Sequence, residues 1–120
     1  MLVVDDSAAF RARLVVQLRE AAFDVVGEAE GIGEAVTLTR ELMPDAIVLD
    51  LHLADGNGVD ILPTLRKTAP AACILVLTGT PYPQLRQHCL AIGADFFLDK
   101  STEADQVAVL LARPRGAAAC

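Results

Sequence analysis

Two short runs that are apolar at every position constrain this sequence most. Ala46-Ile-Val-Leu49 stops on Asp50 and opens into the loop Leu51 to Gly58, and Cys73-Ile-Leu-Val-Leu77 stops on Thr78-Gly79. A strand with one face in water alternates apolar and polar side chains, whereas a run without alternation has to be covered on both faces, as in a parallel sheet held between helices. In an open sheet of that kind, ligands sit in the crevice beyond the carboxyl ends of the strands. Asp50 is therefore delivered to the edge where chemistry is done.

The rest of the chain alternates strand and helix around these runs. Leu2 to Val4 reads as a first strand ending on Asp5-Asp6, and Ser7 as the N-cap of a helix whose stripe is Phe10, Leu14, Leu18 and Ala21 or Ala22. A second strand is expected over Asp24 to Glu28, carrying Val25 and Val26. A helix opening at Gly31 or Gly33 then turns Ile32, Ala35, Val36, Thr39 and Leu42 or Met43 inward, and Pro44 closes it. Beyond the loop that ends near Gly58, a helix buries Val59, Leu62 and Leu65, and Pro63 inside it is expected to cost a hydrogen bond or bend it. A fourth helix runs from about Tyr82 to Ile92 and ends at Gly93, Asp95 to Leu98 is a fifth strand closing on Asp99-Lys100, and Ser101 or Thr102 caps a last helix burying Ala104, Val107, Leu110 and Leu111. The expected fold is α/β, a single-domain doubly wound (βα)5 unit with a five-stranded parallel sheet in the order 2-1-3-4-5 and right-handed crossovers. The domain is expected over 1–112, with 113–120 a disordered tail or the start of a linker.

Composition narrows the function. At 120 residues the chain has room for one domain. Ten basic residues against 16 acidic ones, a formal charge of -6, argue against a nucleic-acid surface, so any DNA contact would belong to a partner. The odd, scattered Cys73, Cys89 and Cys120 read as reduced thiols and not as a disulfide framework or zinc site. Without a leader-like opening or an apolar run of membrane-spanning length, a cytoplasmic location is expected.

The polar residues at the strand ends form a pattern. Asp5 and Asp6 end the first strand, Asp50 the third and Thr78 the fourth, while Lys100 follows the fifth, so all converge on one edge of the sheet. Each has an ordinary reading alone: adjacent acids as a solvated turn, Thr78-Gly79 as a plain turn, Lys100-Ser101 as a polar loop. Their joint occurrence at separate strand ends changes that balance. Three carboxylates within hydrogen-bonding reach repel by roughly 1 to 4 kcal/mol per close pair. They call for a cation, and Mg2+ suits hard oxygen ligands, with Mn2+ a substitute.

On these residues the chain resembles the receiver domain of two-component response regulators, from Met1 to about Leu111. The resemblance implies a flavodoxin-like fold in which Asp50 accepts a phosphoryl group from the phosphohistidine of a sensor histidine kinase or phosphotransfer protein. It implies that Asp6 and Asp50 ligate Mg2+ directly, Asp5 through water and His52 through its backbone carbonyl. Thr78, Gly79 and Lys100 would meet the phosphoryl oxygens, and Phe97, three residues before Lys100, would be the aromatic switch. The fourth helix, fifth strand and fifth helix would then form the output face and the surface of a homodimer. Such a domain is a signalling element, not an enzyme, assisting only its own phosphorylation and dephosphorylation.

The chain departs from the common pattern at Pro81 and Pro83, which bracket Tyr82 and stiffen the start of the fourth helix, and at Ala54, where Pro is frequent. Phe97 lacks the hydroxyl of the commoner Tyr. A haloacid dehalogenase phosphatase would want a second acid where His52 stands, and a flavodoxin would want hydroxyls where Asp5-Asp6 stand. The loop 55–60 lacks the glycine and closing Glu of an EF-hand. His88 is assigned no function. The alternative retained is a receiver-like module that binds partners without being phosphorylated, and Mg2+ binding separates the two.

Overall fold

The computed structural model describes residues 1–112. Five strands, β1 (Leu2–Val4), β2 (Gly27–Ala29), β3 (Ala46–Leu49), β4 (Cys73–Thr78) and β5 (Phe96–Asp99), pair in parallel in the order β2-β1-β3-β4-β5. Between and after them come α1 (Ala8–Glu20), α2 (Ile32–Leu42), α3 (Leu62–Thr68), α4 (Pro83–Ile92) and α5 (Val107–Leu111). The expected doubly wound sheet is what forms.

The period of two along each strand divides the core into two layers. Leu2, Val4, Ile47, Leu49, Ile74, Val76 and Phe97 pack with Ala35, Leu62, Leu65 and Cys89, the faces of α2, α3 and α4. Val3, Val48, Leu75, Leu77 and Leu98 pack with Leu14, Val15, Leu18 and Val107, from α1 and α5. All residues of β3 and β4 are buried, as unbroken apolar runs require. Ser7 caps α1, its hydroxyl accepting the Phe10 N–H at 3.3 Å. Gly93 ends α4 at φ 143°, a conformation that side-chain-bearing residues rarely adopt.

Several local expectations are corrected. The second strand lies at Gly27–Ala29, because β2 is an edge strand whose register is fixed by the three-residue β1, Leu2 opposite Gly27 and Val4 opposite Ala29. Val25 is buried ahead of the ladder and Val26 is 45% exposed. Ala21, Ala22, Leu42 and Met43 lie at helix ends and are exposed; Val15 and Leu38 pack instead. Pro63 neither breaks nor bends a helix: residues Gly58–Ile61 form a 3-10 turn, α3 begins at Leu62, and the proline falls in the first helical turn, where its missing N–H has no intrahelical acceptor. The fifth strand begins at Phe96, since the Asp95 carboxylate is occupied by Arg66 and by the Ile74 N–H.

Ser101 and Thr102 do not cap the last helix. Asp99 Oδ1 accepts from the Ser101 N–H and hydroxyl, and Glu103 Oε1 accepts the Asp99 N–H, so these groups close a turn. A 3-10 turn at Ala104–Gln106 follows, and α5 starts only at Val107, the one fully buried residue in it. Ala104, Leu110 and Leu111 are half-buried. Cys89 is a buried free thiol whose pKa burial pushes up. Cys73, in contrast to the expectation of a reduced thiol, is disulfide-bonded. No helix among the described residues is long and apolar enough to cross a membrane. The expected tail, 113–120, lies outside the described residues.

Candidate functional site

The ladder bonds of the sheet continue one residue past the strands and thereby place the polar side chains. The Asp5 N–H donates to the Ala29 carbonyl at 2.9 Å, the Asp50 N–H to the Val4 carbonyl at 2.8 Å, and the Lys100 N–H to the Thr78 carbonyl at 2.8 Å. Side chains from β1, β3 and β5 therefore emerge at one edge. Asp5, Asp6 and Asp50 each offer a carboxylate oxygen, and these lie within 4.8 Å of one another. Lys100 Nζ closes the group, 2.7 Å from Asp5 Oδ2 and 3.1 Å from Asp50 Oδ2.

Asp5 and Asp50 are only 2% and 3% exposed, whereas Asp6 is open to solvent. Burial pushes the Asp50 carboxyl above its ordinary pKa; the Lys100 hydrogen bond opposes this, and the Asp5 charge adds to the rise. Burial disfavours the Lys100 ammonium too, but its bonds to Asp5 and Asp50 more than offset that and raise its pKa. One ammonium faces three carboxylates, so the set retains negative charge. A hard divalent cation with oxygen ligands fits such a donor set.

Of the remaining residues singled out in the sequence, His52 touches this centre directly and Thr78 meets it through the backbone of Lys100. The His52 N–H donates to Asp50 Oδ1 at 3.2 Å and its side chain is exposed. Leu53 and His52 pair antiparallel with Gly56 and Asn57, folding the loop back. Gly58 closes that loop against the strand end: a Cβ there would stand 2.7 Å from the Asp50 carbonyl oxygen, so backbone leaves no room for a side chain. Thr78 is fully buried, and its hydroxyl is held by Thr80, 3.2 Å from both the Thr80 hydroxyl and N–H. Beside Gly79 a Cβ would meet nothing within 4 Å, so no protein contact requires the glycine. Phe97 is 7% exposed and packs in the layer beneath α4. His88 is exposed on α4.

Four contributors were not visible in the sequence. The Ser7 N–H donates to Asp5 Oδ1 at 2.8 Å, so the residue that caps α1 also steadies the acid before it. Arg11 donates from one guanidinium nitrogen to the Asp5 carbonyl and from Nε to Glu28 Oε1 at 3.0 Å, joining β1 to β2 behind the acids. Phe10 lies under Lys100, with Nζ 4.2 Å from the ring centroid. Asp55 accepts the Ile32 N–H at 2.5 Å and the Gly33 N–H at 3.4 Å, tying the loop after β3 to the start of α2. Phe10 and Arg11 fall one turn after the cap and so share its end of the sheet, which is the only signal that points to them.

The family model described as the response regulator receiver domain matches residues 1–112. The chain is 34% identical over 107 residues to the photosynthetic apparatus regulatory protein RegA of Cereibacter sphaeroides, covering 89% of this chain and 58% of RegA. It thus spans less than two thirds of that relative. Among solved structures it is similar to the response regulator domain of Thermotoga maritima CheB, with a TM-score of 0.79 and 31% identity, covering 92% of this chain and 87% of that one. It is also similar to a response regulator from Burkholderia pseudomallei solved with a phosphorylated aspartic acid, a calcium ion and citrate, with a TM-score of 0.79 and 30% identity over 92% of this chain and 71% of that one. The chain belongs to the response regulator receiver domain family, and its sheet order is that of the flavodoxin-like fold.

Proposed function

We propose that this receiver accepts a phosphoryl group on Asp50 from the phosphohistidine of a sensor histidine kinase or phosphotransfer protein. The observation that carries the reading is the Asp50 carboxylate, buried at the sheet edge beside Asp5 with the Lys100 ammonium bridging the two. The phosphorylated aspartic acid of the Burkholderia pseudomallei relative supports it. A carboxylate oxygen of Asp50 attacks phosphorus, the bond from phosphorus to the donor imidazole nitrogen breaks, and the imidazole leaves with a proton. Phosphoryl transfer has a loose transition state with charge on the equatorial oxygens, so the protein's task is positioning and charge neutralisation.

Lys100 supplies a fixed cation on one side, and the His52 N–H orients the acceptor carboxylate through Oδ1. Asp6 and Asp50 are the direct ligands proposed for Mg2+, with Mn2+ as a substitute, Asp5 acting through water and His52 through its carbonyl. Bound there, the ion would neutralise charge on the transferring group. Gly79 offers its N–H on an open side. Thr78 would exchange its Thr80 partner for a phosphoryl oxygen, and that inward movement would free space for Phe97. The face of α4, β5 and α5 would change as a result and is the proposed output and homodimer surface. The domain acts on itself alone, as a signalling element and not an enzyme, in the cytoplasm with its kinase; DNA contact would fall to a partner or a further domain.

Intact mass after incubation with acetyl phosphate tests this. Wild type should gain one phosphoryl group only when Mg2+ is present, and Asp50→Asn should gain none. Folded wild type that gains nothing with Mg2+ defeats the reading and favours a module that binds partners without phosphorylation.

A further inference from the structure

We propose that Phe10 is a positioning residue for Lys100, its ring holding the ammonium over Asp5 and Asp50; the role rests on the phosphoryl-acceptor reading above. Lys100 reaches the site on a long flexible stem, and ordering such a side chain costs conformational entropy. Its Nζ is 4.2 Å from the Phe10 centroid, 2.7 Å from Asp5 Oδ2 and 3.1 Å from Asp50 Oδ2. A cation at that distance is drawn to the negative face of the ring, more strongly where water is partly excluded. The Lys100 side chain is 19% exposed here, against 3% and 4% for the two acids.

Phe10 is itself held in place. Its N–H is bonded to the Ser7 hydroxyl, and its half-buried ring packs against the layer that contains Leu14 and Leu18. The guanidinium carbon of Arg13, one turn on, lies 5.9 Å from the same centroid, so Lys100 has the closer claim on the ring. The two carboxylates attract Lys100 only while their charge is free. A cation held by Asp6 and Asp50, with Asp5 reached through water, would take part of that attraction away, whereas the ring contact is untouched by it. Phe10 thus keeps the ammonium at the edge when the acids are engaged, which is when a phosphoryl group would need it.

The test measures phosphorylation rates with acetyl phosphate at saturating Mg2+ for wild type, Phe10→Leu, Phe10→Tyr, Lys100→Met and the Phe10→Leu/Lys100→Met double variant. Leucine keeps an apolar side chain and removes the π face, and the expected loss is about threefold to tenfold. Tyrosine keeps the face and should stay within about twofold of wild type. Added to Lys100→Met, Phe10→Leu should cost nothing further; an equal loss in both backgrounds overturns the proposal, because a merely structural role is additive. A second readout needs no phosphorylation. The Lys100 ε-methylene proton resonances of the metal-free wild type should be shifted upfield by the ring and lose that shift in Phe10→Leu, and unshifted wild-type resonances also overturn the proposal. A wild type that takes no phosphoryl group but shows the ring shift defeats the acceptor reading and with it the positioning role, leaving the contact itself established.

Discussion

Asp50 is held in two opposed ways: the fold removes it from water and places Asp5 beside it, while Lys100 and the His52 N–H favour its charge. Its pKa in the folded protein is raised above the ordinary 3.8, so between that value and the folded one the native state holds a proton the unfolded chain has lost. Stability from this residue is complete below 3.8 and is lost as pH rises through the folded value. Asp50→Asn should therefore melt a few degrees higher than wild type at neutral pH without metal, the gap closing in acid, as read by calorimetry. Asp55 titrates with the opposite sign. The Ile32 N–H, above all, lowers its pKa, so its contribution is present above 3.8 and disappears as pH falls through the folded value. Asp55→Ala should lower the thermal midpoint at neutral pH and converge with wild type in acid. The convergence of Asp5, Asp6, Asp50 and Lys100 was legible in the sequence because each stands at or just past the end of an apolar run. Phe10, Arg11 and Asp55 were not, since their partners are 90, 6 or 23 residues away or are backbone atoms that no side-chain pattern marks.

Elements were legible in proportion to how much of their surface is buried. The runs of β3 and β4, covered on both faces, fall where the apolar pattern puts them. Edge strand β2, with a single paired neighbour, takes its register from β1 and lies beyond Val25-Val26. The last helix begins late because Asp99 and Glu103 satisfy one another's turn first, an interaction that cap-residue rules do not anticipate. The elements below the site are joined by Arg66, whose guanidinium donates to the carbonyls of Gly93, Pro70 and Ala72 and to Asp95 Oδ2. Removing a charged donor strands several partly buried acceptors at once, so Arg66→Met should cost about 2 to 4 kcal/mol in urea unfolding. Lysine at that position should recover little, because an ammonium lacks the planar fork that spans these acceptors.

For the molecule as a whole, the site is a load that the fold carries and that a bound cation would relieve. Two buried acids and one exposed acid converge with a single ammonium between them. A ligand that binds only the folded form stabilises it by mass action, about 2.7 kcal/mol at a hundredfold excess over its Kd. Mg2+ should accordingly raise the thermal midpoint of wild type and leave that of Asp6→Asn nearly unchanged; an equal rise in both would remove Asp6 from the ligand set. The architecture explains why so compact a domain can do this, since parallel strands deliver their ends to one edge while the two core layers hold them in register. On the proposed function the phosphoryl group is carried by Asp50 and by neither of its acidic neighbours. The most direct measurement is reductive trapping: the protein is incubated with acetyl phosphate and Mg2+, treated with borohydride and mapped by peptide mass spectrometry. Homoserine at position 50 alone is the predicted result, and trapping at Asp5 or Asp6, or at no residue in a folded sample, would contradict it.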